Sequence, residues 1–235
     1  MPSTVTLITD ADFIIAADGK KILLPPKNPN CRATCTKVKW ELLKDPNEPV
    51  AIDVEFQEFK GKDAEKWGHR MGRVAVVNSR GQVIYDTYSR YDYDADTKTK
   101  MPPRCFGVER KDLYIRNGAK QSSEVESNLK KIFHGRPVVG HGMRLDLTAV
   151  GKVWADEHEI HDTQSYYGQV ALGTLAATYL DQTFNFHDPT EDARATMLLY
   201  LRKCPYNSRT DFKDAPFKLD MGSKHFPSLA EAALM

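Results

Sequence analysis

From Val50 onward, apolar and polar positions alternate in short blocks that predict strands and helices in turn. PVAIDVEF (49–56) reads as a strand, and GRVAVVN (72–78) and QVIYDTYS (82–89) as two more joined through Asn78-Ser79-Arg80-Gly81, a turn sequence. The charged stretch FKGKDAEKWGHR (59–70) and the polar residues 92–104 predict loops. SSEVESNLKKIF (122–133) has helical spacing, with Ser122 or Ser123 available as a cap. A short buried strand is expected over 136–139, then Gly140-His141-Gly142 and a helix over MRLDLTAVGKVW (143–154). EIHDTQSYY (159–167) offers another strand and TLAATYL (174–180) a helix, and His187 to Leu201 is the strongest helical segment. The order implies a mixed α/β sheet covered by helices, with no internal repeat.

Before this block, residues 1–48 read as an N-terminal arm. FIIAADGKKILL (13–24) places two apolar runs around Asp18-Gly19, a hairpin signal, and Pro25, Pro26 and Pro29 then break the chain. Residues 49–203 form the expected single domain and 204–235 a Pro-containing tail. Composition narrows the classes. With 41% hydrophobic and 28% charged residues among 235, the chain matches a globular protein with a full core. No apolar run reaches the ~20 residues of a membrane span, and the N-terminus, lacking a basic leader, does not read as a secretory signal.

The net charge of +1 gives no global field to hold nucleic acid, so any such contact needs a local patch or metal ions. Four scattered cysteines predict a reducing, intracellular setting, nuclear or cytoplasmic. Cys31 and Cys35 have half the spacing of a zinc site, but no second ligand pair follows.

Three acidic signals carry candidate chemistry. Asp53 and Glu55 lie two apart in AIDVEF, so a strand places both on one face, with Ile52, Val54 and Phe56 on the other. Such a pair marks either a wet edge or a cation site. In HDPTEDARATMLLYL (187–201), Asp188 fits the N-cap, Pro189 the first helical position and Glu191 a capping box, which brings His187 near Asp192 at a helix N-terminus. In VVGHGMRLDL (138–147), His141 follows a strand and Asp146 lies in the next helix; each alone reads equally as a structural histidine and a solvent-facing acid.

Taken together, AIDVEF, GRVAVVN, VIYDTY, FGVERKDL, GRPVVGH, LDL, HDTQSYY and EDARATMLLY, in this order over about 50–202, resemble the DEDDh family of 3′→5′ exonucleases, nearest to its RNA exonuclease 4 and interferon-stimulated exonuclease branch. The resemblance implies a ribonuclease H-like fold: a mixed five-stranded sheet flanked by helices, a single domain with N- and C-terminal arms. It also implies two Mg²⁺ or Mn²⁺ ions held by Asp53, Glu55, Asp146 and Asp192, with His187 as general base. By the same analogy Asp53 bridges both ions, Glu55 and Asp192 complete one, and Asp146 orients the other.

The implied activity is removal of 5′-mononucleotides from a free 3′-hydroxyl of single-stranded nucleic acid, with RNA expected over DNA. A DNA exonuclease of the same mechanism and a catalytically silent nucleic-acid-binding module stand as alternatives. The sequence departs from the family at Asp-Val-Glu-Phe, where Asp-Cys-Glu-Met is usual, and at TKTKMPPRC (97–105), where the family has Tyr-Arg-Thr. Phe56, His141 and Arg144 are the candidate substrate contacts: Phe56 by stacking on a terminal base or, equally, by packing in the core, and Arg144 by binding a phosphate. Further basic residues, among them Lys98, Lys100, Arg104, Arg110, Lys130 and Arg136, read as a solvated face.

Overall fold

The structure is a computed structural model that describes residues 7–8, 13–15, 21–23, 33–100, 108–151, 158–180 and 188–206. In the N-terminal arm, β1 (Leu7–Ile8), β2 (Phe13–Ile15) and β3 (Lys21–Leu23) form a three-stranded antiparallel sheet. The expected hairpin pairing is present, with Ile14 opposite Ile22; its turn lies outside the described residues.

The main sheet is built on β4 (Val50–Lys60), β5 (Gly68–Asn78) and β6 (Val83–Arg90), an antiparallel meander. On the far side of β4 lie β9 (Val138–Gly140) and β10 (Ile160–Asp162), both parallel to their neighbours. These five strands, in the order β10-β9-β4-β5-β6, are the expected mixed sheet, and two short strands extend it to seven. β7 (Lys98–Lys100) pairs with the end of β4, inside the segment expected to be a loop. β8 (Lys120–Gln121) runs parallel to the end of β6.

The charged connection is also shorter than expected: β4 and β5 run on as a hairpin, leaving residues 61–67 as its tip. Gly72 sits in the register shift opposite Glu55 and Phe56, where a Cβ would come within 3.1 Å of the Glu55 carbonyl oxygen. Glycine is the residue that lets β5 bend there.

Helices cover both faces. α1 (Ser122–Phe133) buries Val125, Leu129, Ile132 and Phe133, the i, i+4, i+7, i+8 stripe, against Ile52, Val54, Val74, Val76 and Ile84. Neither Ser122 nor Ser123 is its N-cap. β8 feeds straight into the helix, so Gln121 takes the cap position and Ser122 is drawn into the first turn. α2 (Arg144–Ala149) ends before the expected 154, with Gly151 at φ +96 beyond it.

β10 passes into α3 (Gln164–Tyr167), followed by α4 (Leu172–Leu180) and α5 (Pro189–Lys203). On the opposite face α5 sets Ala193 and Met197 on Ala51, Val77 and Val139; small residues on both sides let the helix approach the sheet closely. A strand buried on both faces explains the nearly continuous apolar start of β4.

Residues 33–48 lie against this sheet. Cys35 bridges to Asp86, its thiol directed at the Lys37 and Ile84 carbonyls. The buried Arg136 guanidinium donates to the carbonyls of Leu43 and Asp45, a packing role rather than a solvated one. Tyr206 reaches the Asp45 carboxylate, so the two flanks of the domain meet. Cys31 lies outside the described residues. Among the described residues no helix is long and apolar enough to cross a membrane.

Candidate active site

β4 pairs with β9 only through Val50 and Ala51, and with β7 only from Glu58 onward. Between these points no described strand takes up its second edge, and the acids gather there. Strand alternation puts Asp53 and Glu55 on the α5 face, and the first turn of α5 brings Asp192 down onto them. One carboxylate oxygen from each lies within 4.8 Å of the others. Glu55 and Asp192 are buried and Asp53 half-buried.

Asp146 is not part of that triplet. Its Oδ1 accepts the Val54 N–H at 3.1 Å, capping the open edge of β4 from α2, and it lines the same cavity. His187 lies outside the described residues. Asp188 does cap α5, its Oδ1 accepting the Thr190 N–H at 3.0 Å. Glu191 ion-pairs with Arg194, whose Nε donates to the Gly81 carbonyl, so it ties the helix to the β5–β6 turn instead of completing a capping box.

Electrostatics mark the cluster. Burial, then Asp192, Asp146 and Glu55, push the Asp53 carboxyl well above its usual range. Glu55 is raised to about 9 by burial and by Asp192 and Asp146, against the pull of Arg73. Asp146 is raised to about 7, mainly by burial. Hard oxygen donors held together against their own repulsion are the donor set that Mg²⁺, Mn²⁺ or Ca²⁺ would neutralise.

A cavity of about 450 Å³ opens over the acids, lined by Phe56, Leu145 and Leu172 on its apolar side and by His141 and Gly142. Phe56 packs against the core and also lines the cavity. His141 is positioned by its surroundings, with Nδ1 2.8 Å from Thr163 Oγ1 and Nε2 3.0 Å from the Val170 carbonyl, so both ring nitrogens are occupied. Arg144 is exposed on α2 and is not among the cavity-lining residues; its neighbour Leu145 is.

Two supporting carboxylates escape sequence reasoning. Asp162 accepts the N–H groups of Gly142, Met143 and Gln164, each at 2.9 Å, and so fixes the turn that starts α2; Gly142 itself is at φ +67. Asp86 holds Arg73 by a two-bond fork at 2.8 and 3.0 Å and accepts from the Thr34 N–H and hydroxyl. Arg73 stands opposite Glu55 in the strand register and reaches Asp188 at 3.7 Å, linking sheet, N-terminal segment and the head of α5. The available signal was an arginine inside the apolar run GRVAVVN.

Arg73→Met should destabilise the protein by about 3–5 kcal/mol, because Asp86 would remain buried without its cation. Urea unfolding of the variant against wild type measures this, and an unchanged midpoint and slope would remove Arg73 from the scaffold of the site.

No protein-family model matches the chain. It is 29% identical over 164 residues to RNA exonuclease 4 of Aspergillus fumigatus, covering 66% of this chain and 51% of that protein. With RNA exonuclease 4 of Debaryomyces hansenii it shares 28% over 196 residues, 79% of this chain and 65% of the relative. The chain is a homologue of the RNA exonuclease 4 proteins. It spans between about half and two thirds of the length of these relatives. Among solved structures, the Saccharomyces cerevisiae Pan2 pseudoubiquitin hydrolase–RNA exonuclease module, in complex with AAGGA RNA, superposes with a TM-score of 0.58 at 19% identity. That likeness covers 76% of this chain and 32% of that module's chain and shows the ribonuclease H-like fold.

Proposed function

We propose that the chain is a metal-dependent 3′→5′ exoribonuclease that releases 5′-mononucleotides by a two-metal mechanism. The observation that carries this reading is the convergence of Asp53, Glu55 and Asp192 within 4.8 Å at the mouth of a cavity that Asp146 also lines. Homology to the RNA exonuclease 4 proteins supports the choice of nuclease chemistry, and the RNA oligonucleotide bound to Pan2 supports RNA as substrate.

Asp53, Glu55 and Asp192 would hold one cation, and Asp146 would help to hold a second. Bound divalent cations supply an activated water and stabilise the leaving oxygen. The chain's own residues do the rest. Phe56, Leu145 and Leu172 receive the terminal nucleoside and exclude water from it. Arg73 and Asp86 fix Asp188, and with it the start of α5, so that Asp192 keeps its position. His187, immediately before Asp188, accepts the proton of the attacking water at a ring nitrogen, a role for which a pKa near ~6.5 suits neutral pH.

End-labelled RNA and DNA of matched sequence, with Mg²⁺ or Mn²⁺ and with EDTA, test the proposal directly. The expected result is stepwise shortening of linear RNA from its 3′-hydroxyl and survival of circular RNA. Cleavage of the circle, or equal degradation in EDTA, would overturn it. His187→Ala should lower the rate by ~10²–10⁴ while metal still raises the melting temperature; a rate within twofold of wild type would remove His187 as the base.

A further inference from the structure

The face of β4 that presents Phe56 to the cavity continues outward through Glu58 and Lys60. In the strand register Glu58 stands opposite His69 of β5 and Lys100 of β7, and Lys60 opposite Lys98. Glu58 is engaged on both sides, 3.5 Å from His69 Nε2 and 2.7 Å from Lys100 Nζ. Among the described residues Lys60 and Lys98 have no ion-pair partner. Like charges directly opposite on a sheet are destabilising, so this pair is held at a cost that an external anion would relieve. At the hairpin tip Lys62 is neutralised by Asp96, which leaves the basic excess on the row itself.

Aromatic rings run along the same face. The Phe56 ring meets His69 edge to face at 5.4 Å, and Lys100 Nζ lies 4.6 Å from the centre of the Trp67 ring. Trp67 is 37% exposed, a large surface to leave in water. The row therefore begins inside the acid cavity, alternates rings with cations, and ends on an exposed indole. From Phe56 to Lys60 it extends for about 13 Å at strand rise, room for about four nucleotides at the rise of a stacked strand.

We propose that this row binds single-stranded nucleic acid on the 5′ side of the terminal nucleotide, with phosphates on Lys60 and Lys98 and a base stacked on Trp67. This rests on the exonuclease reading only for the polarity of the strand. Charge complementarity and continuity with the cavity through Phe56 favour a nucleic-acid strand: cations answer phosphates, and rings stack on any base.

The test uses the full chain as wild type, Trp67→Ala, Lys60→Ala/Lys98→Ala and the charge-retaining Lys60→Arg/Lys98→Arg. Turnover is read on a dinucleotide and on a twelve-nucleotide RNA, and binding of the longer RNA by fluorescence anisotropy in Ca²⁺ at several salt concentrations. The ratio of kcat/KM between long and short substrate should fall about tenfold in either alanine variant and recover in the arginine variant. The slope of log Kd against log salt should shrink by about 1.4 in the double alanine variant, two phosphates' worth on a single strand. An unchanged length ratio with an unchanged salt slope would overturn the track. If wild type degrades no RNA yet the slope still falls, the track stands and the exonuclease reading fails instead.

Discussion

Replacing Asp53, Glu55, Asp146 or Asp192 by its amide should each lower nuclease turnover by ~10³ or more, since a cation's stabilisation of the reacting phosphate amounts to several kcal/mol. The same variants should not unfold. Without metal, the fold forces Asp53 and Glu55 to take up protons that the unfolded chain releases, and an amide needs none. The metal-free melting temperature of Asp53→Asn or Glu55→Gln at neutral pH should therefore rise, by the equivalent of about 0.5–2 kcal/mol. Lost function with gained stability separates a ligand from a structural acid, which would lose both. Melting curves in EDTA beside initial rates in Mg²⁺ check this. Wild-type turnover in two of the four variants would end the four-acid assignment.

Chelation should abolish activity altogether and at the same time reshape the pH dependence of stability. In the metal-free protein Glu55 holds its proton to about pH 9 and Asp146 to about pH 7, whereas an unfolded chain releases them near ~4. Between those limits the folded state binds more protons than the unfolded one. Stability should therefore be fullest below about pH 4 as far as these groups are concerned, and fall as pH rises toward 9. A cation displaces the protons, so metal binding should release them and tighten with pH. Titration calorimetry of Mn²⁺ in two buffers of different ionisation enthalpy measures the release. A buffer-independent heat, or a metal-free melting temperature that rises steadily from pH 5 to 8, would contradict the buried protonated cluster.

The sequence made some of this site legible because certain residues obey a local period. Asp53 and Glu55 share a face by strand alternation alone, and Asp192 is placed by the Asp188-Pro189 helix start. α1 was readable to its last residue because its apolar stripe repeats on one side. What escaped depends on contacts distant in sequence. Asp146 reads as an ordinary helical acid until β9 and β4 diverge and leave Val54, paired with Val74 on one side, with no described strand on the other. Arg73 and Asp86 are 13 residues apart, and their value comes from Asp188, a further hundred residues on. Ser122 lost its cap because β8 reaches the helix directly, and β7 formed in a polar segment because the end of β4 offered it an edge; neither fact is local. Arg144, close to Asp146 in sequence, is not among the cavity-lining residues, because residues two apart on a helix lie about 200° apart around its axis.

The second edge of β4 over residues 52–57, which no described strand takes up, also bears on how the protein behaves in concentrated solution. A bare strand edge is a template on which another chain can add, and here the Asp146 carboxylate sits on it as a stopper. Asparagine at 146 keeps an oxygen on the Val54 N–H; alanine does not. Asp146→Ala thus uncovers a stretch of strand beside the apolar wall of the cavity, and self-association is the outcome to watch for in its preparation. An inactive mutant made with asparagine would report on chemistry alone, whereas one made with alanine would mix lost chemistry with lost solubility.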